Sequence, residues 1–326
     1  MIINLGNIVF GGKGNGGGAP AAYVVPNGMN FGYTSLTEFP TEGLDFSQKT
    51  NFYRCWYYCS SLTSFPQLDL SAGTNFGYAW GQCVSLTEFP MIDISSGTNF
   101  RDAWYNCSKL TLFPQLDLHN GINFSEAWWN CSALTIIPQL DLSSGTDFSG
   151  AWRGCNKLTE FPPLDLHNGT NFSYAWNECY ALADFPLINT ANGTNFSYAW
   201  KNCYALTEFP TLNLSSGTNF SNAWNNCTSL TSIPQLDLSA GTNFSSAWTN
   251  CKNLVNLGGF GAISANFSLS TSTKLTVESL MNVITQAADL NELGLTGKTM
   301  NFGSTNLAKL TDEQKAVATN KGWTLA

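Results

Sequence analysis

From Cys59 to Cys251 a cysteine recurs every 24 residues, nine times without a miss. Self-similarity at a fixed period of this size means a stack of like units, each too small to bury a core alone and each closing on its neighbours. That overrides the two-domain expectation for a chain of 326 residues. An odd number of column cysteines cannot pair off completely. The tenth, Cys55, stands in a slot that holds Ala79, Ala103 and Ala127 in later units. All ten are therefore read as small buried thiols and not as a disulfide framework.

The apolar positions of one unit are Leu86, Phe89, Ile92, Ile94, Phe100, Ala103, Trp104 and Cys107, and they recur as Leu206, Phe209, Leu212, Leu214, Phe220, Ala223, Trp224 and Cys227. These columns predict eight inward side chains per coil. The Leu-x-Leu piece has strand period, so Leu68 and Leu70 point in and Asp69 points out. Strands of successive coils then form a parallel sheet with rungs about 4.8 Å apart, and the whole array is a rod of roughly 45 Å. Gly73 and its equivalents mark the reversal after the strand. Asn75 and its counterparts, replaced once by Asp147, precede a helical turn as N-caps, a role Asn and Asp fill about equally well. Phe76, Ala79, Trp80 and Cys83 follow at i, i+3, i+4 and i+7, the inner face of a short helix. Pro66, Pro90 and Pro114 stand just ahead of strands, where a missing N–H does least harm.

The ends depart from the pattern. Leu36 and Leu62 are 26 residues apart, and Gly258-Gly259 replaces the proline of the last coil. Thr276 opens a helix with Val277, Leu280, Met281, Ile284 and Ala288 on one face, and Thr311-Asp-Glu-Gln314 is a capping box, with Lys321 in the last turn and Gly322 past its end. Residues 298–302 and 323–325 read as strands. The expected fold is a repeat solenoid, a parallel β-sheet with short helical turns and an α/β C-terminal cap. Residues 1–35 are read as an attachment segment with a Gly-rich linker, 36–258 as the solenoid and 259–326 as the cap.

Hydrophobic residues at 43% are ample for a core, while charged residues at 11% leave the surface to Asn, Ser, Thr, Gly and Tyr. A net charge of −8, with 14 Lys+Arg and no basic run, sets nucleic acid aside. No run of 18 apolar residues occurs, so membrane insertion is not expected, and no lipid-anchor cysteine lies near the start. Asn4, Gly6 and Asn7 break the first apolar run and Lys13 comes after it, so no secretory signal is read. On that reading the product stays in the cytoplasm that makes it until something releases it.

The segment Asn123-Phe-Ser-Glu-Ala-Trp-Trp-Asn-Cys131-Ser-Ala-Leu134 resembles the BspA-like leucine-rich repeats, in the short subtype with an aromatic-x-x-Cys-x-x-Leu core. The closing stretch, from Leu275-Thr-Val-Glu-Ser-Leu through Leu310-Thr-Asp-Glu-Gln to Lys321-Gly-Trp-Thr-Leu, is similar to the end of many such proteins, and the resemblance covers residues 36–326. It implies a leucine-rich-repeat solenoid used for adhesion. Family members on bacterial cells carry export signals. A similar repeat occurs in phage tail-fibre and receptor-binding proteins, which leave by lysis, and the unread signal tilts the expectation that way.

Little points to catalysis. His119 and His167 replace Ser in the turn column, two coils apart, with no nucleophile column beside them. The Gly-rich residues 11–18 lack the spacing of a phosphate loop and read as a linker. The outward column Asp69, Asp93, Asp117, Asp141, Asp165 and Asp237 stacks like charges and so calls for hydroxyl or backbone donors. As a calcium ladder it would be poor, since isolated monodentate carboxylates do not cage a hard cation. No enzyme, cofactor or metal is expected.

Most columns barely change, yet two do. One lies two residues after the Phe (Arg54, Tyr78, Asp102, Glu126, Gly150, Tyr174, Tyr198, Asn222, Ser246), the other just after the Trp (Tyr57, Gly81, Tyr105, Trp129, Arg153, Asn177, Lys201, Asn225, Thr249). Three apart on a helical turn, they share one outward face. Tyr180 and Tyr204 add aromatics nearby. The candidate ligand face is Tyr105, Trp129, Arg153, Tyr174, Tyr180, Tyr198, Lys201 and Tyr204, suited to sugar stacking. The other reading is that exposed columns vary because nothing constrains them. The leading expectation is a non-enzymatic phage tail-fibre or tail-tip component in the virion, binding a host surface glycan or protein. Its N-terminal segment would join other tail proteins, and a homotrimer is open. A bacterial surface adhesin, a structural spacer and, distantly, a hydrolase follow.

Overall fold

In the computed structural model, which describes residues 22–326, alternate backbone N–H groups of every Phe-x-x-Ala-Trp segment but the last reach into the next coil. Phe100, Asp102, Trp104 and Asn106 donate to the carbonyls of Asn123, Ser125, Ala127 and Trp129 at 2.7–2.9 Å. The residues between them, Ala103, Tyr105 and Cys107, close tight turns on the carbonyls three back, at 3.0–3.1 Å. The expected short helix is therefore a chain of turns. A helix would turn its N–H groups to carbonyls of its own segment, whereas here half of them stitch the stack together.

Backbone angles show why. Two positions per coil have positive φ: Asp102 at 53° and Asn106 at 56° in one coil, Tyr198 at 60° and Asn202 at 64° in another. An α-helix has no place for such residues. The second of these columns is mostly Asn, the side chain that best tolerates this region, and neither column holds a β-branched residue.

The ladder is parallel but does not lie where Leu-x-Leu placed it. Bridges run from Asn51 through Asn75, Asn99, Asn123, Asp147, Asn171, Asn195 and Asn219 to Asn243, and a second series includes Ile136, Glu160 and Asp184. In the Leu-Asp-Leu segment only Asp165 and Asn189 bridge. There the proline carbonyl instead turns the chain, accepting from the second residue on, as in Leu116 N to Pro114 O at 2.9 Å. Each Asn or Asp of the first ladder accepts the N–H two residues ahead, as Asn99 Oδ1 does from Arg101 and Asp147 Oδ1 from Ser149. The expected acceptor is in place, serving a turn and not a helix.

All eight apolar columns are buried, except that Leu68 is only partly so and Thr190 takes one buried slot. Nine tryptophans, Trp56 to Trp248, stack at 5.4–5.8 Å with planes within 12° of parallel. Phe52 to Phe244 form a second stack beside them. None of the nine indole N–H groups meets an acceptor among the described residues. The turn glycine is needed for clearance and not for a positive φ: a Cβ on Gly145 would strike the Phe148 ring and lie 3.0 Å from Leu142 O.

The stack reaches further toward the N-terminus than the expected boundary at residue 36. β1 (Tyr23–Val24) pairs with β2 (Leu44–Asp45), and Phe31 is fully buried against Trp56. Lys49 is buried with Nζ donating to the carbonyls of Pro26, Asn27 and Met29, each at 3.0 Å. The expected linker and most of the expected attachment segment, residues 1–21, lie outside the described residues.

At the far end β3 (Ser232–Ile233) pairs with β4 (Asn256–Leu257), and β5 (Phe267–Ser268) begins a three-stranded parallel sheet. α1 (Val277–Gln286) buries Leu280, Val283 and Ile284, leaving the expected Val277 at the surface. β6 (Thr299–Asn301), α2 (Gly303–Leu307), α3 (Asp312–Asn320) and β7 (Thr324–Leu325) complete the cap. The Thr311–Gln314 capping box is formed, and Lys321 Nζ caps α1 through the carbonyls of Thr285 and Ala287 at 2.7 and 2.8 Å. No helix among the described residues is long and apolar enough to cross a membrane.

Candidate functional site

Residues at one position of successive coils sit one rung apart, so flat side chains there must lie face to face. Six of the eight candidate residues form such a line. Tyr105 stacks on Trp129 at 4.6 Å, the Arg153 guanidinium lies 5.0 Å from the Trp129 ring and 5.3 Å from Tyr174, Tyr174 stacks on Tyr198 at 4.4 Å, and Lys201 Nζ is 5.1 Å from the Tyr198 ring. The line crosses from the post-Trp column to the other between Arg153 and Tyr174. Tyr180 and Tyr204 form a separate stacked pair at 5.1 Å, both exposed.

This geometry changes what the face offers. Most ring faces in the line are covered by a neighbouring ring or cation, so open-face sugar stacking is confined to its ends. All six residues of the line are half-buried, so only part of each side chain meets solvent.

A second cluster lies toward the N-terminus, and reasoning by columns did not single it out. Arg54 lies 5.0–5.3 Å from the rings of Tyr53, Tyr57 and Tyr78, and Tyr33 packs on Tyr57 and Tyr58 at 5.6 and 5.4 Å. Arg54, Tyr57 and Tyr78 were visible as members of the variable columns. Tyr33 precedes the regular repeat and had no register to place it.

Between the clusters sits a carboxyl pair. Asp102 is buried, 3.1 Å from Arg101 Nε, and burial raises its pKa. Burial and then the Asp102 charge push the Glu126 carboxyl up to about 7, against the pull of Arg101 and Arg153.

The aspartate column belongs to another side of the coil. Asp141 Oδ1 accepts from Ser143 Oγ at 2.7 Å and from its N–H, bonds that lower its pKa, and Asp117 is held likewise by His119. His119 and His167 are exposed turn residues, each on the Asp of its own coil. A shallow groove of about 620 Å³ runs along this side, bounded by Met91, Gln115, Gln139, Asp117, Asp141 and Asp165.

No protein-family model matches the chain, and no curated protein matches it. Among solved structures, a leucine-rich repeat protein from Bacteroides ovatus ATCC 8483 is similar over 89% of this chain and 91% of that one, with 14% identity and a TM-score of 0.35. The coil-to-coil hydrogen bonds, and not that likeness, define the stack described above.

Proposed function

We propose that this chain is a non-enzymatic surface-binding protein of leucine-rich-repeat type. In this reading it is a phage tail-fibre or tail-tip component that contacts a host cell surface through the Tyr105–Lys201 line. One observation carries the binding reading: residues of the two columns that vary after the Phe and after the Trp gather on one side as a continuous, half-buried cation–aromatic array, on a scaffold whose inward columns repeat. Tyr, Trp and Arg held rigidly by neighbours are the residues that dominate recognition surfaces, because little side-chain entropy is lost on binding. The phage setting rests on the resemblance of the repeat.

Cell attachment by the full chain tests the reading. Trp129→Asn, Tyr174→Asn and Tyr198→Asn put into each column a residue it already holds, Asn177 and Asn225 in one and Asn222 at a φ of 57° in the other. Folding is therefore preserved, while each lost anchor costs on the order of 2 kcal/mol of binding. Attachment is expected to vanish in the triple variant and survive in Asp117→Asn with Asp141→Asn. The reverse result moves the site to the aspartate groove. If neither set matters the stack is a spacer, and identifying the chain in purified virions tests the setting independently.

A further inference from the structure

Building on the surface-binding reading, we propose that the surface polymer this face recognises is an anionic polysaccharide, with Arg54 and Arg153 binding its carboxylate or phosphate oxygens.

The chain has three arginines, Arg54, Arg101 and Arg153, and all three fall on this one side of a protein whose net charge is −8. Many of its acids lie elsewhere, in the Asp69–Asp237 column and in Glu88, Glu160, Asp184 and Glu208 of the second ladder. Arg101 is occupied by Asp102. Arg54 and Arg153 have no side-chain hydrogen bond or ion pair among the described residues; they pack on rings, with the Glu126 carboxyl near Arg153, and Arg153 Nε is buried without an acceptor. A guanidinium fixed between aromatic faces keeps its planar fork of donors ordered and partly stripped of water. That is the arrangement that favours a bidentate oxyanion.

The covered ring faces argue the same way, because a neutral sugar has few faces to lie on here and an oxyanion needs no open ring face. Arg54 and Arg153 are four coils apart, roughly 19 Å along the stack. No single sugar spans that distance, but successive sugars of a polymer lying along the axis do. Lys201, two coils beyond Arg153, extends the series. Glu126 and Glu178 share this side; Glu126 lies against Asp102 and Arg153, where burial keeps its charge partial at neutral pH.

The test is binding of the full chain to immobilised polymers: polygalacturonate and polysialate for carboxylate, poly(glycerol phosphate) for phosphate, dextran as the neutral polymer and polyglutamate as a charged polymer without sugar. The expected result is binding to at least one acidic sugar polymer and none to dextran, weakening as salt rises. Which anion binds identifies the source of the oxyanion. Arg54→Asn with Arg153→Asn, residues their columns already hold, should cut binding by at least about tenfold with melting unchanged. Arg153→Lys, which keeps the charge and loses the fork, should not restore it. Equal binding of dextran or of polyglutamate, undiminished binding by the arginine pair, or no binding to any polymer overturns the inference. Attachment to cells that is lost in the aromatic triple variant but kept in the arginine pair would leave surface binding standing and remove the anion.

Discussion

The thiol of Cys131 donates to the backbone carbonyl of Trp104, 3.2 Å away in the preceding coil. The same bond recurs from Cys83 to Trp56 and on to Cys251 and Trp224, so each of these cysteines fills a small buried site and gives a second donor to a carbonyl that already closes the turn of its own coil. Burial pushes the thiols of Cys107 and Cys155 up to about 12, which leaves almost no thiolate at neutral pH. Alkylation of the native protein should therefore be slow at these positions until denaturant is added. Cys59 should react first, because the neighbouring Cys83 thiol and then the Thr34 hydroxyl, 3.3 Å from its sulfur, lower its pKa. Rapid native labelling spread over the whole column would contradict this assignment.

Trp152 lies between Trp128 and Trp176, at 5.8 and 5.6 Å, with Phe161 edge-on at 4.8 Å. Trp152→Ala should cost about 3–5 kcal/mol through the cavity it leaves. The loss should be felt mostly by neighbouring coils. Trp152→Phe keeps a stacked ring and removes an N–H that meets no acceptor among the described residues, so its cost should be well below that of alanine. Chemical denaturation monitored by near-ultraviolet circular dichroism distinguishes the two, and equal losses would mean the stack contributes little.

Gly145→Ala should destabilise by about 1–3 kcal/mol, because the added methyl must displace the Phe148 ring. Alanine at Gly28, where nothing lies within 4 Å, is the matched control. A melting temperature unchanged in both would show that the turn column is not close-packed.

The inward pattern was legible because burial depends only on which way each side chain points. Phe76, Ala79, Trp80 and Cys83 point inward in a helix and equally in a chain of turns. That is why the helix was misread, since choosing between the two requires the bonds to the next coil, and no single repeat carries those. The Asn run at Asn106, Asn130, Asn202, Asn226 and Asn250 was the available local clue to positive φ. The variable columns were legible as a set. The self-stacking of Tyr174 on Tyr198 was not, because it follows from the spacing of rungs and not from either residue.

The carboxyl pair makes stability depend on pH in a definite window. Glu126 has an ordinary value near 4.5 and is raised to about 7 when folded, by burial and then by Asp102. Between those values the folded chain holds a proton that the unfolded chain has released, so this site weakens the fold as pH rises from about 4.5 to 7. Glu126→Gln removes that proton equilibrium, and Gln82 at a φ of 65° shows that glutamine tolerates a left-handed backbone in the neighbouring column. The melting temperature of the variant relative to the native chain should therefore climb between pH 4 and pH 8 and then level off. The carboxylates of Asp117 and Asp141, which hydrogen bonds hold low, titrate below this window and are common to both proteins, so they cancel in the difference. Thermal denaturation of both proteins across that range is the measurement. A difference that does not change with pH would mean that Glu126 is solvated and ionised beside Asp102, and that the two carboxyls do not share a buried site.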